Sequence, residues 1–232
     1  MGKCLFMRKG ETHTAPKVEM TPLGDIAVGS TVKLKVNGVA TDFLVVNQGI
    51  PSNSSLYDSS CNGTWLLMKD LYTNMGWGSS TCDYANSSIH AYLNGEFLGL
   101  FDPKVQSAIK QVKIPYVNVN GGKYVASGAD GLTAKVFLLG GNEVGSDWYF
   151  PADGARLDYF SNATNDTRLA YLNGEASYWW TRSPHGTTFA ECIAVQPSGT
   201  LYVHGYYNGF SLRPAIILPF EAGVLNNGNI KV

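Results

Sequence analysis

Residues 178–219 read YWWTRSPHGTTFAECIAVQPSGTLYVHGYYNGFSLRPAIILP. Tyr178-Trp-Trp-Thr-Arg-Ser-Pro predicts a short strand running into a turn. Cys192-Ile-Ala-Val, Thr200-Leu-Tyr-Val and Pro214-Ala-Ile-Ile-Leu-Pro predict three more, each an apolar run bounded by turn residues. Pro197-Ser-Gly supplies the turn between the Cys192 and Thr200 strands. Trp179, Trp180, Pro184, Ala194, Val195, Leu201, Val203, Pro214, Ile216 and Leu218 alternate or cluster as buried strand positions. Arg182 and Arg213, each close to a proline, read as buried or half-buried forks that pair carboxylates or loop carbonyls.

Working outward, Thr31-Val-Lys-Leu-Lys-Val alternates, Asn37-Gly38 turns the chain, and Thr41-Asp-Phe-Leu-Val-Val answers it. Two β-branched runs around Asn-Gly are the strongest short-range hairpin signal. Trp65-Leu-Leu-Met is a short buried strand, and Val112–Tyr116 and Ala134–Leu139 are further strands flanking a Gly/Asn-rich excursion over 116–131. Ser87 to Leu98 predicts a helix, with Ile89, Tyr92, Leu93 and Phe97 at helical spacing and Asn86 or Ser87 as cap. Asp102-Pro103 opens a second helix, from Lys104 to about Lys110, with Val105 and Ile109 inward. Short antiparallel strands, two helices and abundant loop give an α+β fold class, and the lack of regular strand–helix alternation argues against a doubly wound sheet. Residues 1–25 are expected to form an extended arm and 26–232 the compact domain.

Charged residues make up 15% of the 232 residues, with a formal net charge of −1, while Gly numbers 26 and Tyr 13. A quarter or so would be ordinary, so a coiled coil, an acidic tail and a basic nucleic-acid binder are excluded. No apolar run is long enough to span a bilayer, and the charged N-terminus lacks a signal-peptide core behind it. No membrane insertion and synthesis in the cytoplasm are therefore expected. The cysteines at 4, 61, 82 and 192 form no Cys-x-x-Cys; Cys61 and Cys82 could close a loop, with scattered buried thiols the plainer reading. The Asn-x-Ser/Thr sequons at 53, 62, 86, 162 and 165 reflect an Asn/Ser/Thr-rich surface.

Catalytic motifs fail in turn. Gly140-Gly141 after a strand lacks dinucleotide spacing, and no P-loop or Gly-x-Ser-x-Gly occurs. His185 and His204 could converge, but no third metal ligand is evident, so no cofactor is expected. Asp147, Asp153, Asp158 and Asp166 crowd one polar stretch. Two facing acids would suit a cell-wall glycan hydrolase, which makes 147–166 the source of a competing enzymatic reading, though acid-rich loops are more often simply solvated.

Two segments are too rich in aromatics and small polar groups to be mere connectors: His185-Gly-Thr-Thr-Phe189 and His204-Gly-Tyr-Tyr-Asn-Gly-Phe210. Tyr with Ser, Gly and Asn is the composition of antibody binding loops, where stiff rings give contact area at little entropic cost. The expected contact set is His185, Thr187, Thr188, Phe189, Glu191, His204, Tyr206, Tyr207, Asn208 and Phe210, on one exposed face. The alternative is that Tyr206, Tyr207 and Phe210 merely cover the neighbouring strands.

Trp179-Trp-x-Arg-Ser-Pro184, followed by Val195, Gly199, Leu212-Arg-Pro-Ala215 and Leu218, resembles the C-terminal region of C-type-lectin-fold proteins of phages and gut Firmicutes. The resemblance is closest to the variable proteins of diversity-generating retroelements and related phage-tail and surface domains, and Ser88–Leu98 is similar to a helix of that family. It implies a C-type-lectin-like, non-enzymatic ligand-binding domain over 26–232. Its partner would be a host-surface protein or glycan receptor, with nucleic acid excluded. The location would be a phage tail or bacterial surface, with the arm contacting other tail proteins. A structural tail subunit without ligand is the remaining alternative. Template-adenine mutagenesis cannot reach Trp, Met, Gln, Glu or Lys, and positions 185–189 and 204–212 contain none of these; Glu191 and Gln196 would be fixed. The calcium-site motifs Glu-Pro-Asn, Gln-Pro-Asp and Trp-Asn-Asp of sugar-binding members are absent, as is the cysteine pair of the sulfatase-activating members.

Overall fold

The computed structural model describes residues 19–52, 54–119, 124–146, 153–186 and 190–232. The fold is mixed and mostly β, with short helices, as the α+β reading expects. Two five-stranded sheets dominate. In the first the order is Val136–Phe137, Ala215–Leu218, Thr64–Met68, Val39–Gln48, Thr31–Val36, antiparallel throughout. In the second it is Leu201–Gly205, Glu191–Val195, Trp179–His185, Phe210–Ser211, Asn74–Met75. There the Phe210–Ser211 strand runs parallel to Trp179–His185.

The Thr31–Gln48 hairpin forms as its sequence dictates. Val32, Leu34 and Val36 are buried while Thr31, Lys33 and Lys35 face water. Asn37 (φ 49) and Gly38 (φ 75) both adopt the left-handed conformation that a two-residue turn needs. Thr64–Met68 is buried at every position, as a strand covered on both faces must be.

The expected helix over 87–98 begins at Ser87, whose hydroxyl accepts from the His90 amide at 3.1 Å, and buries Ile89, Leu93 and Phe97. It is α-helical over Ser88–Tyr92 and widens to a π-turn over Leu93–Phe97. The second helix spans Pro103–Ala108, and a third short one, Asn165–Arg168, lies in the polar stretch after residue 140. The continuous strand expected over Ala134–Leu139 is instead split into Leu132–Ala134 and Val136–Phe137. Asn94 is the cause: its Oδ1 accepts from the Lys135 and Val136 amides (2.8 and 3.2 Å) and its Nδ2 donates to the Val136 carbonyl at 2.9 Å. The side chain occupies the place of a partner strand, and the ladder breaks there. The expected excursion over 116–131 contains a short ladder of Tyr116–Asn118 with Tyr124–Ala126.

Of the expected 1–25 arm, residues 1–18 lie outside the described residues. Its end is not a tether: Met20–Pro22 pairs with Gly223–Leu225, and Leu23 is fully buried, its amide donating to the Ala222 carbonyl at 2.7 Å.

Candidate functional site

The two loops singled out by composition leave the same end of the second sheet. His185 is the register partner of Glu191, Glu191 of Gly205, and Cys192 of His204. The Tyr206 amide donates to the Ala190 carbonyl at 3.2 Å, one rung beyond the Glu191–Gly205 pair, which holds Tyr206 beside Ala190. His185, Glu191, His204, Tyr206, Tyr207 and Asn208 are thereby brought to one rim, whereas Phe210 lies beside Tyr178, at the start of the Trp179–His185 strand, and joins the set only through His204; Thr187, Thr188 and Phe189 lie outside the described residues.

The rim is graded in exposure. Tyr207 is 79% exposed and meets Tyr206 edge-on, with ring centroids 5.8 Å apart. Its ring lies so close over Gly205 that a Cβ at that position would clash with it. Asn208 closes the turn, its amide and Nδ2 both donating to the Gly205 carbonyl (3.1 and 2.9 Å). His185 Nδ1 lies 3.2 Å from Glu191 Oε2. His204 is only half-buried, yet burial lowers its pKa from the ordinary histidine value, against the opposing pull of Glu191.

Phe210, His204 and Tyr206 are half-buried rather than free anchors. Phe210 stacks on Tyr178 (4.6 Å between centroids, 19° between planes), lies 4.5 Å from Trp180, and takes His204 edge-on at 4.9 Å. Tyr202, 48% exposed, continues this aromatic row from His204 along the edge strand. The sequence reading omitted it, although its two-residue offset from His204 puts both on one face.

Behind the rim the framework is fixed by arginines, as the fork reading anticipated. Arg182 is wholly buried and uses every donor: Nε to the Pro115 carbonyl, Nη1 to the Leu138 carbonyl and Glu143 Oε2, Nη2 to Glu143 Oε1 and the Asp153 carbonyl. Glu143 is completed by the Tyr57 hydroxyl (2.8 Å) and the Gly140 amide (2.9 Å). Among the described residues Arg213 forms no ion pair with a carboxylate. It donates to the carbonyls of Met68 and Lys69 and lies over the Trp179 ring, 5.0 Å from its centroid; burial lowers its pKa to about 10.

The cysteine expectation is corrected. Cys82 is bonded to Cys192, with Cα atoms 5.7 Å apart, fastening the second sheet to a segment 110 residues away. Among the described residues Cys61 is the free buried thiol, raised to about 12 by burial, and it does not pair with Cys82; Cys4 lies outside the described residues. Of the crowded acids, Asp147 lies outside the described residues, Asp158 and Asp166 are exposed, and Asp153 is fully buried with Oδ1 accepting from the Ser183 hydroxyl at 2.7 Å. The Asp153 carboxylate is therefore walled off from any substrate. Among the described residues no three His, Cys, Asp or Glu side chains are grouped to hold a metal, and no helix is long and apolar enough to cross a membrane.

A family model described as a domain of unknown function, DUF6273, matches residues 62–220. No curated protein and no solved structure matches the chain.

Proposed function

The chain belongs to the DUF6273 family, and we propose that it is a non-enzymatic recognition protein, built on a C-type-lectin-like frame, that displays the 185–191 and 204–210 rim to a host-surface protein or glycan. In this reading the setting is a phage tail or a bacterial surface. The observation that carries the reading is the Tyr206–Ala190 backbone bond, which extends the Glu191–Gly205 ladder by one rung and sets Tyr206 beside Ala190, with Tyr207 next to it 79% exposed. A binding surface gains most when its large rings are held in place before contact, because less rotamer freedom is then lost on association. Tyr207 is braced by Tyr206, and Tyr206 by its bond to Ala190; the aromatic row below them ends in the buried Trp180. Polar reach comes from Glu191, His185 and Asn208. The Cys82–Cys192 bond favours an oxidising compartment, where such bonds persist, and so favours work outside the cytoplasm.

The test is binding of the labelled chain to a panel of intact bacterial cells. Wild type should bind a subset, and the Tyr206→Ala/Tyr207→Ala double variant should lose that binding while remaining folded. Binding that survives the double substitution would reject the rim as the contact surface.

A further inference from the structure

Sheet edges expose a row of unpaired backbone groups, and proteins blunt them with short strands, lysines, prolines, bulges or covering segments. This chain does so at three of the four edges of its two large sheets. Val136–Phe137 and Asn74–Met75 are strands of two residues. Thr31–Val36 carries exposed Lys33 and Lys35, and the Lys33 amide is taken by the Gly228 carbonyl at 2.8 Å. The fourth edge, Leu201–Gly205, is different. It pairs with Glu191–Val195 in five consecutive register positions without a bulge, and it contains no charged residue and no proline.

The direction of its backbone groups follows from the ladder. The Gln196 amide donates to the Thr200 carbonyl at 2.8 Å and the Tyr206 amide to the Ala190 carbonyl at 3.2 Å. In an antiparallel pair, hydrogen-bonded positions alternate. Tyr202 and His204 therefore turn their backbone groups inward to the neighbouring strand, while Leu201, Val203 and Gly205 turn theirs outward. The Gly205 carbonyl is occupied by Asn208, but among the described residues nothing is bonded to the outward N–H and C=O of Val203.

We propose that Leu201–Gly205 is the docking edge for a second copy of this chain, joined antiparallel about a two-fold axis at Val203. The pattern is self-complementary. Val203 meets Val203 and exchanges two N–H···O=C bonds, the Gly205 amide faces the Leu201 carbonyl while the Gly205 carbonyl stays with Asn208, and Tyr202 of one copy lies opposite His204 of the other on the aromatic face. No like charges meet across the axis, since the strand has none. The two second sheets fuse into one with the aromatic rows on the same face, and the two rims lie at opposite ends of the fused sheet. His204 belongs to both this edge and the rim, so the pairing is tested by association alone, without reference to what the rim binds.

The test is sedimentation of the full chain over a hundred-fold concentration range, with amide exchange followed at Val203. Wild type should shift from monomer to dimer, and the Val203 amide should become protected as it does. Val203→Pro removes an outward donor while leaving the inward bonds of Tyr202 and His204, and should weaken association by about tenfold or more. Tyr202→Lys places a charge on the exposed edge and should act in the same direction. Unchanged melting of both monomeric variants establishes that they fold. A wild-type chain that stays monomeric with a freely exchanging Val203 amide, or a dimer that neither substitution loosens, would overturn the proposal.

Discussion

The Arg182 guanidinium meets the Glu143 carboxylate fork to fork, at 2.7 and 2.8 Å, with neither side chain exposed to water. The pair spans the gap between the Trp179–His185 strand and the turn at 140–145, and through the Leu138 and Pro115 carbonyls it ties both to the segments beside them. A buried charge pair adds little over apolar packing, but removing one partner strands the other in a dry interior. Glu143→Ala should therefore cost about 3–5 kcal/mol in a denaturant titration. A loss below 1 kcal/mol would mean that water reaches Arg182.

Asp153 makes stability depend on pH in the direction opposite to a salt-bridged acid. Its Oδ2 is buried without a hydrogen-bond partner, 3.8 Å from Arg182 Nε. Burial raises its pKa above the ordinary carboxylate value, more than Arg182 and the Ser183 hydroxyl lower it. The folded chain thus holds this proton more tightly than the unfolded chain. The contribution is present below the unfolded pKa and is lost as pH rises through the folded one, at about 1.4 kcal/mol for each pH unit between the two. Asp153→Asn removes the ionisation and keeps an oxygen for Ser183. The melting temperature of the variant relative to wild type should climb as pH rises through that window; a pH-independent difference would contradict this.

Tyr207 and Tyr206 should separate. Tyr207 is 79% exposed, so Tyr207→Ala should change stability by no more than about 0.5 kcal/mol. Tyr206 packs partly against the core, and Tyr206→Ala should cost about 1 kcal/mol. Thermal melts of the two single variants check the order, which would be reversed if Tyr207 were the structural ring.

Breaking the Cys82–Cys192 bond frees a chain separation of 110 residues in the unfolded state. Loop-closure entropy then predicts a loss of about 5 kcal/mol for the Cys82→Ala/Cys192→Ala chain. Reduction of wild type should lower its stability to a similar degree, and Cys61→Ala should leave the reduction effect in place.

Local signals were legible where they were complete in a few residues. Asn37-Gly38 with alternating flanks specified its hairpin, and Asn86-Ser87 marked the helix start to within one residue, Ser87 being the cap. The same dipeptide at Asn173-Gly174, both left-handed, turns a hairpin of two-residue arms that the sequence reading passed over because its flanks are too short to show alternation. The types of Arg182 and Arg213 announced buried forks, but their partners did not: Glu143 lies 39 positions from Arg182, and Asn94 cuts into a ladder 42 positions away. The Cys82–Cys192 pairing is hidden for the same reason, since only the packed sheet brings the two together. At the rim, composition located the loops but not the grading that buries half of Phe210 while leaving Tyr207 in water.

The claim beneath all of this is that the rim can be altered without disturbing the frame that holds it. A surface-displayed library with every residue sampled at Glu191, Tyr207 and Asn208, and at Glu143, Arg182 and Arg213, measures it when sorted first for protease resistance and then for attachment to the cells that wild type binds. The account predicts that the first three positions accept most residues as folded chains and lose attachment, while the latter three are depleted at the protease step. Rim variants that unfold, or that attach as wild type does whenever they fold, would contradict it.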